Sequence, residues 1–429
     1  MKSDPVAKDY RPRIARWVLA LCILTIGSMA FNEIESNWFV SYYKYIVKLD
    51  FLIIGIIRAI AAIVGVTFIL IFGTISDNLR TKKGRRVPLI LTGALLTALL
   101  LLLVGTSIDA TWIFLFGAFL VPVTISVFRG GKALSVDLIP TEKRGRVNTL
   151  INLMSNVGSM IVWIPALILF PGQTIFPREI HVDFFVLGAV ALSTAGLIVA
   201  VLVKEPEVIE PPRRWTDDLK KLFDRHEFAR NKDFVEIFVP MIFMVAADST
   251  FTPYLLSLLE STFSGFGLTE MLVAVPIVGG CVGVGFLVLG RGVDKVGRKK
   301  ICLIGITIAP IGGLIIAFSG ANYALLIAGF SVLMPFFLGA VVATDSWVQD
   351  ILPKEARGRF AGIMNVGSAI GSALGSLLSG AIANYFGILG IFIATSVIFW
   401  ASIPFFMRVP ETLKKKEQVP LPSPESTNQ

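Results

Sequence analysis

Seven ionisable residues interrupt runs that are otherwise apolar: Glu33, Glu35, Arg58, Arg129, Lys132, Asp248 and Asp345. A charge held at the centre of a hydrocarbon layer costs about 2.5–3.5 kcal/mol, so those that persist face a partner or a water-filled cavity. A desolvated carboxylate takes up a proton more readily than one in water, so it can load on one side of a barrier and release on the other. Asp248 is the first candidate for that work, because at about 1.5 Å of rise per residue it lies about 21 Å along its run from Phe234. Glu35 is the second. The same rise puts it about 27 Å from Trp17, where the first run is expected to emerge at the outer surface, with Glu33 beside it. Lys132, about 31 Å from Thr111, is expected near the opposite end of its run, in a gate as readily as on a ligand.

Such residues need elements to position them, and composition defines those elements. The chain has 429 residues, of which 55% are hydrophobic and only 16% charged, with a mean hydropathy of +0.76. A soluble domain carries about 25% charged residues. The numbers exclude disorder, collagen, disulfide scaffolds and most soluble enzyme folds, and predict an all-α polytopic membrane protein. Twelve segments reach the roughly 20 apolar residues a spanning helix needs. They run near 17–40, 52–72, 87–108, 111–136, 147–170 and 182–203, then 234–259, 268–290, 301–319, 322–349, 359–385 and 387–407. Cys22, Cys281 and Cys302 have no paired spacing, which argues against a disulfide framework or a zinc site. His181 and His226 both fall outside the apolar runs and leave little for histidine chemistry. No nucleophile–base pair, phosphate loop or metal cluster stands out, so neither an enzyme nor a cofactor or metal is expected. The first run lacks a small-residue cleavage site and reads as a span rather than a leader.

The formal charge of +9 is a matter of topology and gives no reason to expect nucleic acid. Of 39 Lys and Arg, 33 lie at the two ends of the chain, in the central loop, or in the loops after even-numbered spans up to the tenth. The positive-inside rule then puts both termini in the cytoplasm, in a multi-pass protein of the cell membrane. The central loop, 204–233, divides a first set of six spans (1–203) from a second (234–407), with a polar tail at 408–429. Within that loop Trp215, Leu219, Leu222 and Phe223 recur at helical spacing, as in a short amphipathic helix lying on the inner membrane face.

A shift of 213 residues lays Asp137-Leu-Ile-Pro-Thr-Glu-Lys-Arg-Gly-Arg146 over Asp350-Ile-Leu-Pro-Lys-Glu-Ala-Arg-Gly-Arg359. It also superposes Glu35-Ser36 on Asp248-Ser249 and Lys132 on Asp345. Six spans followed by six in the same orientation form a parallel repeat, a plan that closes around a midplane cavity. Six of the seven charges fall in segments 1, 4, 7 and 10, which are equivalent under the repeat.

Gly73-Thr-Ile-Ser-Asp77 followed by Gly84-Arg85-Arg86 resembles the G-x-x-x-D…G-R-(R/K) loop of the major facilitator superfamily. Gly290-Arg-Gly-Val-Asp294 followed by Gly297-Arg298-Lys299 resembles it again, in register with the repeat. The glycines are expected to let segments 2 and 8 approach a neighbour, and the aspartates to cap or pair near a helix end. Asp137, Arg144, Asp350 and Arg357 read as loop and gate residues.

Within that superfamily, Ser76-Asp77…Lys83-Gly84-Arg85-Arg86-Val-Pro88 and Lys132-Ala-Leu-Ser-Val-Asp137 resemble stretches of sucrose transporters and glycoside–pentoside–hexuronide symporters. Pro410-Glu411-Thr412 resembles the end of sugar porters and is echoed by Pro206-Glu207. The resemblance implies alternating access by two six-helix bundles of a monomer, driven by protons and carrying a sugar or glycoside inward. Segment 2 offers Arg58 and no carboxylate, which disfavours a sodium site of the melibiose type. A sugar needs hydrogen-bonding groups for its hydroxyls and an aromatic face for its C–H surface. The candidate substrate set is therefore Asn32, Trp38, Arg129, Lys132, Tyr254 and Asp345. The rival readings are an exporter of an organic anion or drug, motivated by Arg129 and Lys132, and a non-transporting sensor built on the same fold.

Overall fold

The computed structural model describes residues 5–81, 83–134 except 131–133, 138–139, 141–169, 175–205, 231–262, 268–320, 322–352 and 357–413. Side chains are not described for a further set of helical residues that includes Arg144, Asp294 and Arg357. Lys132, Asp137 and the expected amphipathic helix around Trp215 lie outside the described residues.

Among the described residues, twelve helices are long and apolar enough to cross a membrane: α1 Ile14–Ile46, α2 Phe51–Asn78, α3 Val87–Thr106, α4 Ala110–Arg129, α5 Leu150–Leu169 and α6 Arg178–Leu202 in the first half. The second half has α7 Lys232–Thr262, α8 Leu272–Val293, α9 Arg298–Ala317, α10 Tyr323–Ile351, α11 Phe360–Phe386 and α12 Gly390–Arg408. Their ends follow local chemistry. Asp109 caps α4 by accepting from the amides of Thr111 and Trp112 at 2.8 and 3.3 Å, and Asn322 caps α10 through Leu325 N. Pro88 enters the first turn of α3, where its missing N–H costs nothing.

α1 is longer than expected. It continues unbroken past Glu33 and Glu35 and runs on to Ile46 through two π-helical stretches, Ile34–Trp38 and Tyr42–Ile46. The polar cluster from Asn32 to Asn37 shortened the apolar run in the sequence, yet Asn32, Glu33 and Glu35 are half-buried and find partners on α4 and α5. A third π stretch, Phe116–Leu120, lies in α4, and α7 tightens to a 3₁₀ turn at Thr252–Tyr254 around Pro253.

Packing repeats between the halves. α1 lies against α5 and α6, α3 against α6 and α4, and α2 against α4; α7, α9 and α8 meet α11 and α12, α12 and α10, and α10 in the same pattern. This is a pair of six-helix bundles related by a parallel repeat. The halves join mainly where α2 lies on α11. A Cβ placed on Gly55 would stand 2.5 Å from the Ser376 carbonyl oxygen and 2.9 Å from Gly380 Cα. That approach of backbones is open only to glycine, and it closes the end of the molecule away from the termini.

Candidate functional site

A cavity of about 400 Å³ lies between the bundles, lined from α1, α2, α4, α7 and α11. Glu35-Ser36 enters it from α1 and Asp248-Ser249 from α7, so the two dipeptides superposed by the repeat face one space. Arg58 stands within electrostatic reach of Glu35, Asp248 and Tyr43. Its Nη1 donates to the carbonyl oxygens of Glu35 and Ser36 at 3.2 and 3.3 Å, both in the widened π turn of α1. Its Nε is buried with no hydrogen-bond partner.

Arg129, from the far part of α4, donates through Nη2 to Asn32 Oδ1 at 2.8 Å and pairs with Glu35 Oε2 at 3.6 Å. Asp248 Oδ1 accepts from Thr252 Oγ1 at 2.6 Å, in the 3₁₀ turn below. Two cations and two anions therefore line the cavity. Around them are the polar side chains of Asn365, Ser368 and Ser372 on α11 and the rings of Phe39 and Tyr43.

Glu35, Arg129 and Asp248 thus come together, with Asn32 holding Arg129. Other candidates do not join them. Trp38 is fully buried, stacked on Phe184 with ring centroids 3.7 Å apart and edge-on to His181. Tyr254 is buried against Phe51 at the closed end. Neither lines the cavity, because the helical face that carries each one turns into its packed interior. Asp345 is exposed on α10, outside the lining. Glu33 turns toward α5, where its carboxylate accepts from Ser159 Oγ at 2.8 Å and Trp163 Nε1 at 2.9 Å. His181 lies within α6 and is fully buried, although its position looked peripheral.

The polar face of α11 went unnoticed. Its signal was the spacing of Asn365, Ser368 and Ser372 at i, i+3 and i+7 in an otherwise small and apolar stretch, which puts them on one side of a helix.

At the end that carries the termini, Asp77 pairs with Arg86 at 3.1 Å and with Arg85 at 3.9 Å. Gly84 and Gly297 take positive φ angles of 112° and 119°, which only glycine adopts freely. Each also leaves room for a carboxylate. Glu205 accepts from the amides of Arg85, Arg86 and Val87, and Glu411 from those of Arg298 and Lys299. Glu205, one residue before Pro206, is therefore the counterpart of Glu411; the Pro206-Glu207 echo was two residues out of register. Arg298 bridges to Asp350 at 2.6 Å. Gly73 and Gly290 meet nothing within 4 Å. Among the described residues, the expected approach of α2 and α8 to a neighbour at these glycines is therefore not made.

Several known proteins share this architecture. A variant of the nucleoside transporter NupG superposes with a TM-score of 0.70 at 16% identity, covering 91% of this chain and 99% of that one. The D-xylose-proton symporter superposes at 0.65 with 16% identity, over 94% of this chain and 99% of its own. A bacterial homologue of the human lysosomal transporter Spinster reaches 0.69 at 13% identity, over 92% and 96%. At these identities the likeness is one of fold. In sequence, the glucose transporter GlcP of Staphylococcus epidermidis is 30% identical over 158 residues, 36% of this chain and 34% of that protein, so the match spans about a third of the relative. The Major Facilitator Superfamily model matches residues 18–294 and again 242–426. Twelve helices, the paired bundles, the twice-occurring loop and that match over nearly the whole chain make this protein a member of the Major Facilitator Superfamily.

Proposed function

We propose that the protein is a secondary transporter that carries a small polyhydroxylated solute, a sugar or glycoside, into the cytoplasm together with protons. The observation that carries this reading is the cavity that repeat-related Glu35-Ser36 and Asp248-Ser249 line together, with Arg58 in the same lining and within electrostatic reach of both acids. The bundles 1–203 and 234–407, joined by 204–233 and followed by the 408–429 tail, rock about that cavity. With both termini cytoplasmic, as the positive-inside distribution argues, the cavity is closed to the outside and opens inward. Asp248 carries the proton, with Glu35 as the second group. Ser36, Ser249, Asn365, Ser368 and Ser372 supply partners for hydroxyls, and Phe39 and Tyr43 supply the aromatic faces first sought in Trp38 and Tyr254. The volume lies within the about 300–1,000 Å³ of small-molecule sites. The partial likeness to a glucose transporter supports a sugar in particular.

The test is uptake by proteoliposomes offered a panel of labelled sugars and organic acids, with and without an imposed pH gradient. Asp248→Asn is expected to abolish pH-driven accumulation while preserving counterflow exchange, which needs no net proton movement. A folded Asp248→Asn protein that still accumulates solute would remove Asp248 from coupling and leave Glu35. The second reading, an organic-anion carrier, is favoured by the unpartnered buried Nε of Arg58 beside Arg129. It predicts transport of the acids in the panel and none of the neutral sugars.

A further inference from the structure

The closed end contains a carboxylate that the cavity does not use. Glu260, on the last turns of α7, is 2% exposed, and among the described residues no cation is bonded to it. Its Oε2 lies 2.6 Å from Ser41 Oγ of α1, and its Oε1 accepts from Phe176 N at 3.2 Å. Ser41 Oγ in turn lies 2.8 Å from Nε2 of His181 on α6, and both residues are fully buried. The chain of contacts therefore crosses from one bundle to the other.

Counting hydrogens decides what this cluster holds. His181 Nδ1 lies 3.1 Å from the Pro177 carbonyl oxygen, which only accepts, so Nδ1 carries a hydrogen. The Ser41 hydroxyl has one hydrogen and two neighbours, Glu260 Oε2 and His181 Nε2. If Glu260 is ionised and His181 neutral, both neighbours offer lone pairs, and one contact has no hydrogen in it. Such an unmade bond between buried polar groups costs about 1–3 kcal/mol, more when one is charged. One further proton repairs the chain in either of two forms. A protonated Glu260 donates to Ser41, which donates to His181; or a doubly protonated His181 donates to Ser41, which donates to Glu260. The two forms differ only by shifting hydrogens along the relay.

We propose that Ser41, His181 and Glu260 form a second proton-binding site, separate from the cavity carboxylates, that is filled when the outer end closes and emptied when it opens. The proposal rests on the alternating-access reading above. Other ionisable groups nearby are engaged elsewhere. Tyr45 donates to Ser257 O, Tyr42 to the carbonyls of Gly105 and Ser107, and Arg178 to those of Gly105 and Thr106. The adjoining segments 170–174 and 263–267 contain no ionisable residue. Trp38, Phe176 and Tyr42 wall the imidazole from water, with ring centroids 5.3, 6.4 and 5.7 Å from it. Because the site belongs to the outer gate in both states, its proton comes from and returns to the outside. It therefore sets the gate by external pH without adding to the protons carried across. The sign follows from linkage: the closed state binds one proton more, so acid closes the outer end and alkali opens it.

The test uses the full chain in lipid nanodiscs without substrate, its native cysteines replaced, with spin labels at Ile108→Cys and Tyr385→Cys. These two exposed positions lie in opposite halves at the outer end. Pulsed dipolar spectroscopy then reads the closed and open populations from about pH 8.5 to about pH 5.5, a window that brackets an ordinary histidine. The closed-to-open ratio is expected to rise on acidification, by about tenfold per pH unit at its steepest for one proton. Glu260→Gln and His181→Gln each supply the missing hydrogen from an amide, so each should hold the outer end closed with a flat pH profile. Both variants are read in an Asp248→Asn background, so that the cavity carboxylate's own proton does not enter the profile; the rise on acidification should persist in that background and vanish only when Glu260→Gln or His181→Gln is added. A wild-type ratio that ignores pH overturns the latch, as does a folded Glu260→Gln or His181→Gln protein that still titrates in that background. A Gly55→Leu protein that opens under the same conditions shows that alternation itself stands even if the latch does not.

Discussion

The two ends of the molecule are built on opposite principles. At the end away from the termini α2 and α11 touch backbone to backbone at Gly55 and Gly380, and Ser41, Tyr45 and Phe176 reach across to Glu260 and Ser257. At the end with the termini, Gly73 and Gly290 face open space, and the ion pairs Asp77–Arg86 and Arg298–Asp350 each stay within one half. Among the described residues, one end is therefore stitched between bundles and the other within them. A transporter that rocks needs the contacts between bundles to be few and exchangeable and those within each bundle to be permanent. Buried hydroxyl–carboxylate contacts and glycine seams suit the first task, and backbone-capping carboxylates suit the second.

The largest expected effect comes from breaking the seam. In Gly55→Leu the added Cβ would lie 2.5 Å from a main-chain oxygen that cannot rotate away. Overpacking of this kind costs about 1–3 kcal/mol, enough to cut the closed-to-open ratio about fivefold to 150-fold in the same spin-label measurement. Gly73→Leu, with nothing within 4 Å, should leave the closed fraction undiminished. Equal effects at the two glycines would erase the contrast between the ends.

An intermediate effect is expected within the halves. Glu205 is buried and accepts from three amides at the start of α3, whereas Glu411 is exposed and accepts from two at the start of α9. Glu205→Ala should cost about 2–3 kcal/mol, since three donors, two of them buried, lose a charged acceptor. Glu411→Ala should cost about 1 kcal/mol, as for a solvated cap. Thermal unfolding in detergent would rank them, and a reversed order would show that burial does not set the difference.

The smallest effect belongs to Asp77→Asn. Its carboxylate is 57% exposed, and its pairs with Arg85 and Arg86 are worth about 0.5 kcal/mol in solvent. Turnover should slow while substrate affinity in equilibrium binding stays within a few-fold. A large loss of affinity with the fold intact would move Asp77 from the conformational cycle into recognition.

Much of this was legible in the chain. Twelve spans follow from apolar run length, because a membrane helix must satisfy its backbone internally across a fixed thickness. The superposition of Glu35-Ser36 on Asp248-Ser249 needed only the repeat. Reading went astray where a residue's helical face mattered. Trp38 and Tyr254 have the right chemistry for a ligand but turn into packing, while Asn365, Ser368 and Ser372 look unremarkable singly and form a lining together. The end of α1 was misplaced for a related reason: Asn32, Glu33 and Glu35 read as an exit from the membrane, but Arg129, Ser159 and Trp163 from α4 and α5 satisfy them inside it.

Composition, periodicity and the internal repeat determined by themselves that this is a twelve-helix protein of two like halves, with charges retained in its interior. These properties are local or additive along the chain, so they survive without coordinates. Tertiary structure alone decided which charges share a cavity, that Arg58 lies within electrostatic reach of both acidic dipeptides, and that Ser41, His181 and Glu260 meet although 219 residues separate the first from the last. The physical reason is that a side chain's partner is fixed by helix rotation and by which helices pack together. Both depend on contacts summed over the whole bundle, and a single segment's sequence does not contain them.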